Sequence, residues 1–179
     1  MSQVTLLGPR PAGSPALLAA RDLLGEHLGE LVRQAGDTAV KAKMDIQTVS
    51  GELLNSHRWV YREVPNLLLR LSSNLSSSTP AVLVNCHFDS AVQSPGASDN
   101  ILNCALMLEV ARLVILADTN LTSDIIFLFN GAEESGLVAA HGFIIQHHWA
   151  ESCAAFVNLE GAGAGGRELL FQVTRQDQD

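Results

Sequence analysis

Three short apolar runs, each ending in a side chain able to bind a metal, constrain this chain more than any other feature. Ala81-Val82-Leu83-Val84-Asn85-Cys86 leads into His87-Phe88-Asp89. Ile125-Ile126-Phe127-Leu128-Phe129 leads, through Asn130-Gly131-Ala132, into Glu133-Glu134. Cys153 to Leu159 leads into Glu160. Short runs of this kind, bounded by polar or glycine-containing segments, read as buried strands. Helical patterning fills the intervals, from about Asp99 to Leu116 and from about Gly136 to His147. Alternating buried strands and helices predict an α/β fold, a three-layer α/β/α sandwich whose sheet is parallel at its centre. In open sheets of this class, sites form outside the C-terminal ends of the strands. All three runs deliver their acid or histidine to that edge.

The first part of the chain has a different rhythm. Gly8 to Pro15 is a loop, with Ser14 placed as a helix N-cap and Pro15 at the first helical position. The helix should run to about Gln34, with Leu17, Leu18, Leu23, Leu24, Leu28 and Leu31 on its apolar side. Val40 to Val49 alternates, Val40, Ala42, Met44 and Ile46 against Lys41, Lys43, Asp45 and Gln47, as a half-buried strand does. Trp59 to Leu71 reads as a second strand, interrupted near Pro65, and Ser72 to Pro80 as a serine-rich turn. These strands would add an antiparallel edge, so the sheet is expected to be mixed. No internal repeat breaks the chain, and residues 1–179 read as a single domain.

Composition narrows the functional classes. The chain is 47% hydrophobic and 17% charged, which suits a folded domain with a substantial core. Its net charge of -8 argues against nucleic acid as a partner, because phosphate binding needs clustered Lys and Arg. Cys86, Cys104 and Cys153 lie far apart in apolar runs and read as buried free thiols. No signal peptide is evident. No apolar stretch is expected to reach the ~18–20 residues of a membrane span. The longest, Ile101 to Ala117, is broken by Asn103, Glu109 and Arg112. Asn-x-Ser/Thr sequons at Asn74 and Asn120 fit a luminal or extracellular parent.

The chemistry open to the four ligand segments differs. Imidazole is a good zinc ligand, and Asp89, two residues from His87, could fix its tautomer; the pair could equally be a surface His beside an Asp. Asp99, at the end of Ser94-Pro95-Gly96-Ala97-Ser98, could be a helix N-cap or a carboxylate bridging two cations ~3.5–4 Å apart. Glu133 and Glu134 could be solvated neighbours, or one could bind metal while the other takes a proton from a metal-activated water. Glu160, before Gly161-Ala162-Gly163, could end a turn or complete a ligand set. Taken together, on one edge and in this order, they favour the metal reading.

The ordered set His87-x-Asp89, Gly96-Ala-Ser-Asp99-Asn100, Gly131-Ala-Glu133-Glu134 and Asn158-Leu-Glu160 resembles the zinc exopeptidase family of bacterial leucyl aminopeptidase and glutamate carboxypeptidase. Gly8-Pro-Arg-x-x-Gly13-Ser14 is similar to the loop that opens that family's domain. Asn85-Cys-His-Phe-Asp-Ser90, Ile126-Phe-Leu-Phe-Asn-Gly-Ala-Glu-Glu134 and His141-Gly-Phe most resemble its endoplasmic reticulum metallopeptidase (Felix-ina) branch. The resemblance spans about Gly8 to Gln172. It implies an aminopeptidase-type exopeptidase that acts on peptides with two Zn2+ ions, in the lumen beside the endoplasmic reticulum membrane. It implies that His87 and Glu160 bind one zinc, that Asp99 bridges, and that Glu134 binds the second. Glu133 would be the general base, Asp89 the partner of His87, and Asp99–Asn100 a cis peptide bond. The family more often has Asp where this chain has Glu160.

The chain also departs from that pattern. The family's second zinc takes a further histidine downstream, and His141, His147 and His148 do not match its position. Residues 174–179 no longer resemble the family, and the membrane spans of the reticulum branch are absent. The expectation is therefore a domain incomplete at its C-terminus, with its second zinc site incomplete and membrane anchoring confined to a longer parent. The alternative is a truncated, catalytically impaired form acting as a non-catalytic binding domain.

Overall fold

A computed structural model describes residues 2–54, 56–73, 80–161 and 165–174. Helix α1 (Ser2–Leu6) was not evident in the sequence. Helix α2 (Pro15–Gln34) has the expected bounds, and Ser14 Oγ accepts the Leu17 N–H at its start. Strand β1 (Lys41–Leu54) pairs antiparallel with β2 (Arg58–Ser72). After these come β3 (Ala81–His87), α3 (Leu102–Ala117), β4 (Asp124–Asn130), α4 (Val138–Gln146) and β5 (Cys153–Asn158). The sheet order is β1-β2-β4-β3-β5. Strand β2 runs antiparallel to β4, while β3 is parallel to both β4 and β5. The sheet is thus mixed, and its parallel strands occupy one half, with β5 at the edge.

Alternation along the strands divides the core into two layers. On one face Leu67, Leu69, Leu71, Cys86, Phe127 and Phe129 pack with Leu17, Leu24 and Leu28 of α2 and Met107, Ala111 and Ile115 of α3. On the other, Leu68, Leu83, Ile126 and Leu128 pack with Phe143 of α4 and Trp149. Each fully buried Leu contributes roughly 1.5–3 kcal/mol. The second face also buries an ion pair, Arg70 Nη2 to Asp124 Oδ2 at 2.6 Å, with Nε at 2.7 Å from the same oxygen.

Several expectations need correction. Strand β2 is not interrupted at Pro65, which sits opposite Thr48 in register. Pairing with β4 starts only at Asn66, so the missing proline N–H falls before the second ladder begins. The irregularity is a bulge between Val49 and Gly51 instead, near Glu63 at φ 53°. Ile46, expected to be buried, is 50% exposed because β1 is an edge strand. Helix α4 starts later than expected, since Gly136 and Leu137 have φ of 85° and 63°. Helix α3 is preceded by a distorted turn, Ala97–Ile101, in which Asp99 and Asn100 are not helical. Asp99 therefore does not cap α3. Contrary to the hydropathy expectation, Ala97–Ala117 is long and apolar enough to cross a membrane, with a mean hydropathy of 1.7 over its best window. Within α3 the charges of Glu109 and Arg112 pair with each other at 2.6 Å. Cys104, Met107, Ala111 and Ile115 bury one side of it in the core, and 33% of that window is buried.

Candidate metal centre

The C-terminal ends of β4, β3 and β5 lie side by side and carry the acids and histidine named above. An asparagine chain locks them together. Asn130 donates to Asn85 Oδ1 at 3.0 Å and to the Cys86 carbonyl at 3.1 Å, and Asn85 donates to Asn158 Oδ1 at 2.7 Å. Each asparagine is the polar residue at the end of an apolar run. Cys104 on α3 donates its S–H to the His87 carbonyl at 3.1 Å and lies 2.8 Å from Cys86. Cys86 and Cys104 are buried as expected, whereas Cys153 is only half-buried.

His87 is 1% exposed, and its Nε2 faces three acids: Asp99 Oδ1 at 3.0 Å, Glu160 Oε1 at 3.4 Å and Glu133 Oε2 at 4.0 Å. Its other nitrogen, Nδ1, lies 3.2 Å from both the backbone oxygen and Oδ1 of Asp89. With the proton held at Nδ1, the lone pair of Nε2 points at the acids, as a metal ligand requires. Among the described residues, His87, Asp99 and Glu160 are the group that converges, with ligand atoms all within 4.8 Å of one another. Gly161 makes the approach possible. A Cβ there would lie 2.6 Å from the Ser98 carbonyl and 3.0 Å from Asp99 Cα, so only glycine lets Glu160 come beside Asp99. The Asp99–Asn100 peptide bond is cis, as the resemblance implies. Buried Asn100 donates to the Leu159 carbonyl at 2.8 Å, which joins the Asp99 turn to the end of β5.

Asp89 does more than orient an imidazole. It is fully buried, and its Oδ1 and Oδ2 accept the backbone N–H groups of Glu133 and Glu134 at 3.1 and 3.2 Å. One carboxylate thus fixes both the histidine and the two glutamates, a link that spacing alone does not reveal. Glu134 turns away from the convergent group, and its Oε1 accepts the Ala91 N–H at 3.0 Å. The other histidines are elsewhere. His141 Nδ1 lies 2.9 Å from the Tyr61 hydroxyl, and His147 Nε2 lies 3.1 Å from Asp45.

The electrostatics suit a cation. Burial would lower the pKa of His87, but the carboxylates of Asp89 and Glu160, by hydrogen bond and charge, push it up to about 11. Burial raises Glu133, and against the attraction of His87 the charges of Glu160, Asp89 and Glu134 add to that rise, so this carboxyl sits above its ordinary range. Glu160 falls below its ordinary value because, against the burial effect, it accepts hydrogen bonds from His87 and from the Gly161 N–H at 2.9 Å. A nitrogen and two carboxylates at these separations are a donor set suited to zinc. The surplus of negative charge, which holds a proton on His87 when no metal is present, is the field that a dication would neutralise.

The chain is 41% identical to human endoplasmic reticulum metallopeptidase 1 over 97% of its own length. It is 43% identical to a vacuolar membrane protease of Yarrowia lipolytica over 64% of its length. It spans 20% of the first and 12% of the second, so it corresponds to a small part of those proteins. A solved Zn-dependent exopeptidase from Parabacteroides distasonis shares the fold, with a TM-score of 0.69 at 18% identity, covering 92% of this chain and 60% of that one. The sequence profile of peptidase family M28 matches residues 66–179. That span includes residues 174–179, contrary to the expectation that they fall outside the resemblance. The chain belongs to peptidase family M28.

Proposed function

We propose that this chain carries the metal centre of a zinc-dependent exopeptidase of aminopeptidase type, and that residues 1–179 form one partial catalytic domain. His87 Nε2, 3.0 and 3.4 Å from Asp99 and Glu160, carries the reading. These three side chains would hold one zinc, and Asp99, half exposed, could bridge to a second held by Glu134. Zinc bound there would lower the pKa of a coordinated water toward about 7 and polarise a peptide carbonyl. Glu133 stands beside the ligands with its carboxyl raised by burial, which suits a general base that takes a proton and passes it to the leaving amine. Asp89 keeps the His87 proton at Nδ1 and holds the Glu133 backbone. The reticulum and vacuolar-membrane names of the relatives support a luminal, membrane-associated parent acting on peptides. Asn120, exposed between α3 and β4, is then a candidate glycosylation acceptor, whereas Asn74 lies outside the described residues.

A second reading has its own observation. Among the described residues no further histidine joins the group, and Glu134 faces Ala91 rather than Asp99. A chain with one zinc and no turnover, acting as a binding domain, fits that. Glu133→Gln separates the two readings. The exopeptidase reading expects unchanged zinc content with hydrolysis of aminoacyl amides reduced about 10²–10⁴-fold. Hydrolysis unaffected by the substitution removes Glu133 from the base role, and a zinc-loaded parent chain with no hydrolysis at all favours the binding domain.

A further inference from the structure

Arg10, in the loop between α1 and α2, is fully buried and among the largest side chains that are. A buried guanidinium is costly unless its donors are met. Here backbone carbonyls meet those of Nε and Nη1. Nε donates to the Phe88 carbonyl at 3.1 Å, and Nη1 to those of Val4, Gly8 and Pro95 at 3.3, 2.7 and 2.8 Å. The backbone joins in, since the Arg10 N–H donates to Ser90 Oγ at 2.9 Å and the Ser90 N–H donates to the Arg10 carbonyl at 3.2 Å.

The acceptors are informative because of where they sit. Phe88 lies between His87 and Asp89, and Pro95 opens the turn that leads to Asp99. One planar group with fixed donor directions therefore spans two of the three segments that supply the centre, those of His87 and Asp99. Gly96, at φ +56°, is moulded to it, for a Cβ there would lie 2.9 Å from Arg10 Nη2 and 2.6 Å from Ser90 Cβ. Nη2 itself has no hydrogen-bond partner among the described residues, so the guanidinium is held by the Nε and Nη1 contacts alone. Burial pushes the Arg10 pKa down, and the nearby Cys104 and Asp89 oppose that.

We propose that Arg10 is a positioning residue for the metal centre. By bridging the carbonyls of Phe88 and Pro95, it sets the spacing between His87 and Asp99 and hence how tightly zinc is held. This rests on the zinc reading above.

The test is zinc affinity, measured by competition with a chromophoric chelator on the whole chain, for the parent, Arg10→Lys, Arg10→Met, His87→Ala and Leu31→Ala. Leu31→Ala, at the opposite end of α2, controls for general loss of stability. The proposal expects both Arg10 variants, folded by circular dichroism, to bind zinc roughly 10- to 100-fold more weakly. Leu31→Ala should melt earlier yet bind zinc as the parent does. Folded Arg10 variants with parental affinity, while His87→Ala loses zinc, overturn the positioning role and leave the zinc reading standing. A parent that binds no zinc, or whose affinity His87→Ala does not change, overturns both. Should both Arg10 variants fail to fold, Ser90→Ala carries the test, because it removes the acceptor of the Arg10 N–H. Severalfold weaker zinc binding supports the role, and unchanged binding overturns it.

Discussion

Asp89 Oδ1 accepts the backbone N–H of Glu133 at 3.1 Å while lying 3.2 Å from His87 Nδ1. The proposed base and the proposed ligand are therefore set by one buried carboxylate, and neither can shift without disturbing the other. Asp89→Ala is expected to weaken zinc binding roughly 10- to 100-fold. It also removes the acceptor of two part-buried N–H groups, those of Glu133 and Glu134, at about 1 kcal/mol each. Zinc titration and urea unfolding of the variant check both effects; an unchanged midpoint would contradict the second.

Zinc binding should release a proton. Without metal, His87 has its pKa pushed up to about 11, so its ring is charged at neutral pH. Glu160 is already ionised there, being shifted down, and contributes no proton. Affinity should therefore rise with pH by about tenfold per unit from this group. Calorimetry near pH 7, in buffers of different ionisation enthalpy, should return about one proton released per zinc. The same shift stabilises the metal-free fold. That contribution is complete below the unfolded pKa of about 6.5 and is lost as pH rises through about 11.

The Arg70–Asp124 pair lies on the face of the sheet opposite α2 and α3, and both residues are buried. Asp124→Ala leaves a buried guanidinium without its carboxylate and is expected to destabilise the chain by about 3–5 kcal/mol. Denaturant unfolding measures this directly. Zinc affinity of the folded fraction should not change, because neither residue touches the centre.

Leu102, Leu106, Val110, Leu113 and Leu116 line an exposed side of α3, and Phe156 and Val157 lie exposed on the edge strand β5. A groove of about 210 Å³ in this region is lined only by apolar residues, among them Val82, Val84, Met107 and Leu159. Such surfaces and open sheet edges drive association. The isolated chain is expected to self-associate as its concentration rises, and Leu106→Lys with Val157→Lys to reverse this. Sedimentation velocity decides it, and a clean monomer at all concentrations would contradict the expectation.

Strand and helix bounds were legible where a local rule decides them. Ser14-Pro15 starts α2, and the apolar run Ile125–Phe129 defines β4 within a residue or so. Tertiary facts were not legible. The extension of β1 to Leu54 is an exposed ribbon without apolar alternation to mark it. The tolerance of Pro65 depends on where β4 begins to pair, and the kink before α3 depends on the Asp99 turn. The candidate ligands could be named because each follows a buried strand. The hydrogen bonds from Arg10 to the Phe88 and Pro95 carbonyls, and from Glu133 to Asp89, join residues far apart in sequence, which no periodicity reports.

The central claim is that His87, Asp99 and Glu160 hold a zinc ion. Elemental analysis after exhaustive dialysis tests it most directly, with His87→Ala as the comparison. The account predicts about one zinc per parent chain and essentially none in the variant, since a tight site needs its full ligand set. Zinc content that His87→Ala leaves unchanged, or no zinc in the parent, would contradict it.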